Sequence, residues 1–307
     1  MLAAAQDYGV GGMQLPCVIE MAANAFFSKA SVAMGGYAML TSGNANLLMA
    51  HGTPKQREVF AHNEFSGRWF GTMCLSEPQA GSSLSDVATR AVPDGDGFEA
   101  DPLGPRYRLR GHKMWISNGE HELAENIIHL VLARLPDAPA GVRGISLFLV
   151  PKFLPNADGS LGPSNGVLCT AVEHKMGLKA SATCQMQFED STGWLVGEPH
   201  KGMAAMFTMM NAERLSVGIQ GLGIGEAAYQ SAVWYAKDRL QGRALSGARY
   251  PDKPADPIIV HPDVRRMLMQ MRANNEGCRA LGAWVARALD AEKHSPDPEV
   301  RQRAEDF

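Results

Sequence analysis

The stretch Cys74-Leu-Ser-Glu-Pro-Gln-Ala-Gly-Ser-Ser83 carries the strongest local signal in the sequence. An apolar run leads into it, and Glu77-Pro78 through Gly81-Ser82 predicts a tight polar loop. Backbone N–H groups and small hydroxyls in such a loop can closely approach a flat polar ligand. Taken alone, however, the pattern is more often that of an ordinary turn.

A second signal lies further along, in Gly111-His-Lys-Met-Trp-Ile-Ser-Asn-Gly119. A strand that ends here places Trp115 and Ser117 on one face, because alternate side chains of a strand point the same way. That arrangement suits an indole packed along a planar ring, with a hydroxyl touching the edge of the ring. The alternative interpretation is a tryptophan buried in the core.

The order of helical and strand patterns divides the chain into three predicted domains. Residues 1–68 form an N-terminal helical domain, and residues 69–197 a middle β domain, either a small barrel or a sandwich. Residues 198–307 form an incomplete bundle of long helices. Because helices and strands do not alternate along the chain, a parallel α/β sheet is disfavoured, and the predicted fold class is α+β.

Local signals place the elements within these domains. Thr53-Pro54 followed by Gln56 predicts a capped helix start, with proline in the first turn and a capping box. Strands are predicted at residues 107–110, 126–134, 144–150 and 185–189, where short apolar or alternating runs lie between turn residues. Two long helices are predicted at about 203–239 and 262–292.

Composition excludes several classes of protein. The 307 residues carry a net charge of −3, which argues against a nucleic-acid-binding protein. No apolar run is long enough to span a bilayer. Five cysteines without a C-x-x-C pair argue against a disulfide framework or a zinc site, so we expect a cytoplasmic location. His121-Glu122 begins like a zinc-protease helix, but Glu125 stands where that motif needs histidine, and we expect no metal site.

The segment Gly218-Ile-Gln-Gly-Leu-Gly-Ile-Gly225 resembles a dinucleotide-binding fingerprint. It follows a helical stretch rather than a strand, so the nucleotide interpretation is disfavoured. Small residues on a helix also let neighbouring backbones approach closely, and we predict helix–helix packing here.

Three more blocks complete a recognisable series: His174-Lys-Met-Gly-Leu-Lys-Ala-Ser-Ala-Thr183, Met209-Met-Asn-Ala-Glu-Arg214 and Asp238-Arg-Leu-Gln-Gly-Arg243. In order and spacing, the five blocks together resemble the acyl-CoA dehydrogenase family over nearly the whole chain. The third and fourth blocks, with Arg-Leu-Gln-Gly-Arg in the fifth, resemble a long subgroup that includes 3-methylthiopropionyl-CoA dehydrogenase. The resemblance implies N-terminal helices, a middle β-barrel and a C-terminal bundle of long helices.

The resemblance also implies FAD as cofactor and an acyl-CoA thioester as substrate. The residues implied in flavin binding are Met73, Leu75, Ser76, Trp115 and Ser117, together with Arg239 and Gln241, which would reach the FAD of a neighbouring subunit in a homodimer or homotetramer. Those implied in substrate binding are Ser82, Ser181, Asn211 and Arg214.

In the family, a glutamate well beyond the long helices removes the α-proton, and electrons pass to an electron-transfer flavoprotein. The motif that carries this glutamate does not occur here, so we expect the catalytic glutamate beyond Phe307 and a chain truncated at both ends. As given, the chain would then be inactive. The alternatives are a non-catalytic flavin-binding fragment, or a flavin oxidase or monooxygenase of the same fold.

Overall fold

The structure is a computed structural model that describes residues 2–156 and 159–306. Residues 1 and 307, where the predicted domains begin and end, lie outside the described residues. The helices are α1 (Cys17–Ala30), α2 (Val32–His51), α3 (Pro54–Gln56), α4 (His62–Phe65), α5 (Gly202–Asp238), α6 (Pro262–His294) and α7 (Pro298–Glu305). The strands are β1 (Trp69–Cys74), β2 (Arg90–Pro93), β3 (Arg106–Ser117), β4 (Asn126–Arg134), β5 (Ile145–Pro151), β6 (Phe153–Pro155), β7 (Leu161–Ser164), β8 (Val167–Val172) and β9 (Thr183–Leu195).

The predicted capping box at the start of α3 is confirmed. The backbone N–H of Gln56 donates to Thr53 Oγ1 at 3.1 Å, and the Thr53 N–H donates to Gln56 Oε1 at 3.0 Å. Each side chain thus satisfies a backbone donor that the first helical turn leaves free. A π-helical turn, Arg57–Ala61, joins α3 to α4.

The middle domain is a barrel, as one of the two predicted alternatives states. Strand β4 pairs with β2, β2 with β3, β3 with β9, β9 with β5, and β5 with β4 again, so the ring of strands closes. Strand β1 adds to β4 in parallel, and β8 adds to β9. Closure leaves the ring without free edges.

Two apolar layers explain why β4 and β5 are mostly apolar and do not alternate with polar residues. Every residue of β5 is buried, and so is every residue of β4 except the last. On one face, Leu130 and Leu147 join a cluster shared with the N-terminal helices. On the other, Val131 and Phe148 fill the barrel interior. A strand buried on both faces has no reason to alternate apolar with polar residues.

The two long helices agree with their predicted bounds within about two residues. The Gly218–Gly225 segment lies inside α5, so it does not follow a strand. A Cβ at Gly223 would lie 2.7 Å from the backbone nitrogen of Lys29 on α1, and one at Gly225 would lie 2.7 Å from Asn275 Oδ1 on α6. These two glycines confirm the predicted close packing.

The chain divides into two compact units. The first comprises the segment up to Gln14 and Ala33–Arg214, and so contains the barrel and the first part of α5. The second comprises Leu15–Val32 and everything from Leu215 onward. The three-domain division at residues 68 and 197 remains a prediction.

Among the described helices, none combines the length and the hydropathy needed to cross a membrane. Residues 2–156 and 159–306 also contain no group of three or more His, Cys, Asp or Glu side chains that could hold a metal ion.

Candidate flavin site

The Trp115 side chain is 53% exposed, so the alternative of a core tryptophan is wrong. It lies on β3 next to Ile116, which is buried, and Ser117 beyond it is exposed again. The alternation agrees with the prediction that Trp115 and Ser117 share a face. Trp115 has a φ of 56°, at an irregularity in the β3–β9 register. Such strained backbone is typical of functional sites.

The loop after β1 is bound directly to this part of β3. The backbone N–H of Met114 donates to the Ser76 carbonyl at 2.9 Å, and Lys113 Nζ donates to the Leu75 carbonyl at 3.1 Å. Met73, at the end of β1, is partly buried. The structure therefore brings together two segments that the sequence predicted to face one flavin, Leu75-Ser76 and Trp115–Ser117.

A buried ion pair lies where the loop after β1 contacts β3. Lys113 Nζ lies 2.8 Å from Glu77 Oε1, and the two side chains are 0% and 3% exposed. Glu77 also accepts hydrogen bonds from the backbone N–H groups of Ala88 and Thr89 and from Thr89 Oγ1. Burial by itself would raise the pKa of Glu77, but the Lys113 ammonium and these donors hold that pKa below its usual value.

Sequence reasoning assigned no role to Glu77 or Lys113. Both lie inside sequence blocks that resemble those of the acyl-CoA dehydrogenases. That position was the signal in the sequence that could have pointed to a role for them. A salt bridge between them could not be predicted, because it depends on how the loop after β1 meets β3.

Asn118 presents a buried donor next to Ser117. Its Oδ1 accepts from the Ser181 hydroxyl at 2.8 Å, and its backbone N–H donates to the Ala182 carbonyl. Its Nδ2 is buried and has no partner within the described chain. An unpaired buried donor is costly unless a ligand satisfies it. Ser181, predicted to contact the thioester chain, thus also holds Asn118 in place.

The other predicted substrate residues occupy two separate places. Ser82 is exposed in the loop after β1. Asn211 and Arg214 are exposed on α5, and Arg214 Nη1 donates to Asn211 Oδ1 at 2.9 Å. The Arg214 guanidinium lies 5.6 Å from the centroid of the Phe207 ring, an arrangement typical of a cation–π contact.

Arg239 and Gln241 belong to the second unit. The Gln241 backbone N–H donates to the Asp256 carbonyl at 2.9 Å, and the carbonyl of Gln241 lies 2.7 Å from His261 Nε2. Their predicted contact with the flavin of a neighbouring subunit remains a prediction.

Glu213 is a carboxyl that sequence reasoning missed. It is 7% exposed, its Oε2 has no partner among the described residues, and burial raises its pKa to about 7. A Cβ at Gly43 on α2 would lie 2.6 Å from Glu213 Oε1. Helical spacing was the signal in the sequence that could have predicted this burial. Glu213 lies seven and four positions after the buried Met206 and Met209, so the three residues share one face of α5.

Comparison with known proteins gives a consistent result. Residues 72–191 match the family model "Acyl-CoA dehydrogenase, middle domain", and residues 200–302 match "Acyl-CoA dehydrogenase, C-terminal domain". The chain is 46% identical over 295 residues to 3-methylmercaptopropionyl-CoA dehydrogenase of Ruegeria pomeroyi, covering 96% of this chain and 48% of that protein. It is 40% identical over 286 residues to a butyryl-CoA dehydrogenase of Syntrophomonas wolfei, covering 91% and 45%.

Among solved structures, butyryl-CoA dehydrogenase from Megasphaera elsdenii superposes with a TM-score of 0.78 at 25% identity, over 99% of this chain and 72% of that one. The chain spans about half the length of the two curated relatives described above.

Proposed function

Because the chain belongs to the acyl-CoA dehydrogenase family, we propose that it holds FAD and serves the dehydrogenation of an acyl-CoA thioester to the 2-enoyl-CoA. The observation that carries this proposal is the exposed Trp115 indole. It lies two residues from Ser117 on β3, and the two residues before it are hydrogen-bonded to the Leu75-Ser76 segment. When bound, FAD supplies the acceptor for a hydride.

The residues around Trp115 suit a flavin in chemical terms. The indole offers a flat apolar face to a planar ring. The hydroxyls of Ser76 and Ser117, with the free Nδ2 of Asn118, offer hydrogen bonds to the ring nitrogens and carbonyls at its polar edge. Met73 and Leu75 would line the same ring.

The remaining predicted residues are proposed to hold the substrate and a second subunit. Ser82, Ser181, Asn211 and Arg214 would position the CoA thioester. Arg239 and Gln241 would reach the FAD of a neighbouring subunit in a homodimer or homotetramer. Electrons would then pass to an electron-transfer flavoprotein. The names of the two curated relatives support a short acyl group as substrate.

Removal of the α-proton needs a carboxylate beside the reacting carbon. We propose that none of residues 1–307 supplies this base, so residues 1–307 alone are inactive. Glu213 is the competing candidate, because its pKa of about 7 would suit a general base near neutral pH.

Anaerobic absorbance spectroscopy with butyryl-CoA tests this function. We expect the substrate to bleach the bound flavin in the protein expressed from its complete reading frame, and to leave the flavin oxidised in residues 1–307. If the substrate bleaches the flavin in residues 1–307 and Glu213→Gln abolishes this bleaching, Glu213 is the base. A flavin that no saturated acyl-CoA reduces in either protein would contradict the proposed reaction.

A further inference from the structure

We propose that the buried Lys113–Glu77 pair is a positioning pair that acts on the bound flavin through the peptide joining Leu75 to Ser76. This inference rests on the proposed FAD site and assigns the pair a role beyond stabilising the fold. Neither side chain is placed in contact with the flavin.

The surroundings of Lys113 Nζ match an ammonium group. An ammonium has three N–H donors, and Nζ has three acceptors: Glu77 Oε1 at 2.8 Å, the Leu132 carbonyl at 2.8 Å and the Leu75 carbonyl at 3.1 Å. The Leu132 carbonyl belongs to β4, inside the barrel wall. Every donor of the lysine is thus used, and one of them fixes the loop that the flavin would touch.

Glu77 fixes the lysine in turn. Its two carboxylate oxygens accept from the Ala88 N–H at 2.7 Å, the Thr89 N–H at 3.1 Å and the Thr89 hydroxyl at 2.6 Å. A carboxylate held by three donors from the Ala88-Thr89 segment can move little. The lysine that it binds is therefore also held in one position.

The Lys113 ammonium affects the protein surface by polarising the peptide that joins Leu75 to Ser76. In a trans peptide the carbonyl and the following N–H point in opposite directions, so the Ser76 N–H points away from Lys113. A charged donor on the carbonyl polarises the peptide and makes its N–H a stronger donor, and this effect is largest where water is excluded. Lys113 is fully buried.

The polarised peptide favours one redox state of the bound flavin. The polar edge of an isoalloxazine ring gains negative charge when the flavin is reduced. A stronger N–H donor at that edge favours the reduced form, as a preformed dipole favours any developing charge. The pair should therefore raise both the affinity for FAD and its reduction potential.

Two variants and one control test this proposal. Lys113→Met removes the donor to Leu75 but leaves Glu77 buried without its counter-charge. The double variant E77Q/K113M removes both charges, so the core keeps no unpaired ion. Lys152→Met is the matched control, because Lys152 forms an ion pair with Glu120 but is not bonded to the loop after β1.

The readouts are the dissociation constant for FAD, the reduction potential of the bound flavin and the melting temperature. We expect the double variant to melt near the wild-type temperature, to bind FAD at least tenfold more weakly, and to have a more negative potential. Lys152→Met should match the wild type in affinity and potential. A purely structural role would lower the melting temperature without moving the potential.

Wild-type affinity and potential in the double variant would overturn the inference, since the pair would then only balance charge in the core. That result leaves the proposed function intact, because the wild type still binds FAD. Failure of the wild type itself to bind FAD would overturn the proposed function and this inference together.

Discussion

Replacing Glu64 with methionine is expected to raise the melting temperature of the protein. Glu64, on α4, is 0% exposed, and neither of its carboxylate oxygens has a partner within the described chain. A buried polar group without a hydrogen bond costs about 1–3 kcal/mol, and methionine fills a similar volume without that cost. At about 2–4 °C per kcal/mol, the increase amounts to several degrees.

Among the described residues, no charged group offsets the burial of Glu64, and burial is the cause of its raised pKa. A Cβ at Gly71 would lie 2.5 Å from Glu64 Oε1 and 2.5 Å from the Cβ of Asn44. Asn44 is also fully buried, and its Oδ1 has no partner among the described residues. Glu64 and Asn44 therefore flank Gly71, on a strand that has no room for a larger residue.

The increase in stability that Glu64→Met gives over the wild type should grow with pH. Burial raises the pKa of Glu64 well above its usual value of 4.5. A carboxyl with a raised folded-state pKa contributes stability below pH 4.5, and this stability is lost as pH rises through the folded-state pKa. Glu64→Gln, which cannot ionise, should show the same widening difference from the wild type.

Thermal unfolding from pH 4.5 to pH 8 measures this effect. Glu58→Met is the matched control, because Glu58 is an exposed glutamate on the neighbouring turn and forms an ion pair with Lys55 at the surface. Its effect should stay within about 0.5 kcal/mol. A Glu64→Met variant that melts below the wild type at pH 8 would show that the carboxyl is paired.

The second large effect is expected at Glu213. Its pKa is about 7 in the folded protein against 4.5 for the free side chain, because burial disfavours the ionised form. The linked loss of stability between pH 4.5 and pH 7 is about 3 kcal/mol, at about 1.4 kcal/mol for each pKa unit. Stability is present below pH 4.5 and is lost as pH rises through 7.

Glu213→Gln should remove this loss. We expect the variant to match the wild type near pH 4.5 and to be more stable by about 3 kcal/mol at pH 8. Each variant is compared with the wild type at the same pH, so the titration of Glu64 cancels from the difference. Glu276→Gln, at an exposed helix position, is the control. A Glu213→Gln variant with wild-type pH dependence would show that Glu213 is not buried.

Much of the fold could be predicted because its signals are local. Thr53 and Gln56 form the predicted capping box from residues three positions apart. The long helices α5 and α6 begin and end close to their predicted bounds. The shared exposure of Trp115 and Ser117 agrees with alternation over the last residues of a single strand.

What sequence reasoning missed depends on contacts between distant segments. Glu77 and Lys113 are 36 positions apart, and their pairing requires the loop after β1 to meet β3. Sequence reasoning also missed Glu64 and Glu213, because the glycines beside them, Gly71 and Gly43, come from other elements. Only the fold shows which glutamates have lost access to water.

The most direct test of the central claim, that Trp115 lies at a flavin site, is a titration with FAD followed by quenching of flavin fluorescence. Trp115→Ala removes the indole, and Trp234→Ala removes an indole that is 79% exposed on α5. We predict that the wild type and Trp234→Ala bind FAD alike, and that Trp115→Ala binds about tenfold more weakly. Equal affinity in all three proteins, or no binding by the wild type, would contradict the account.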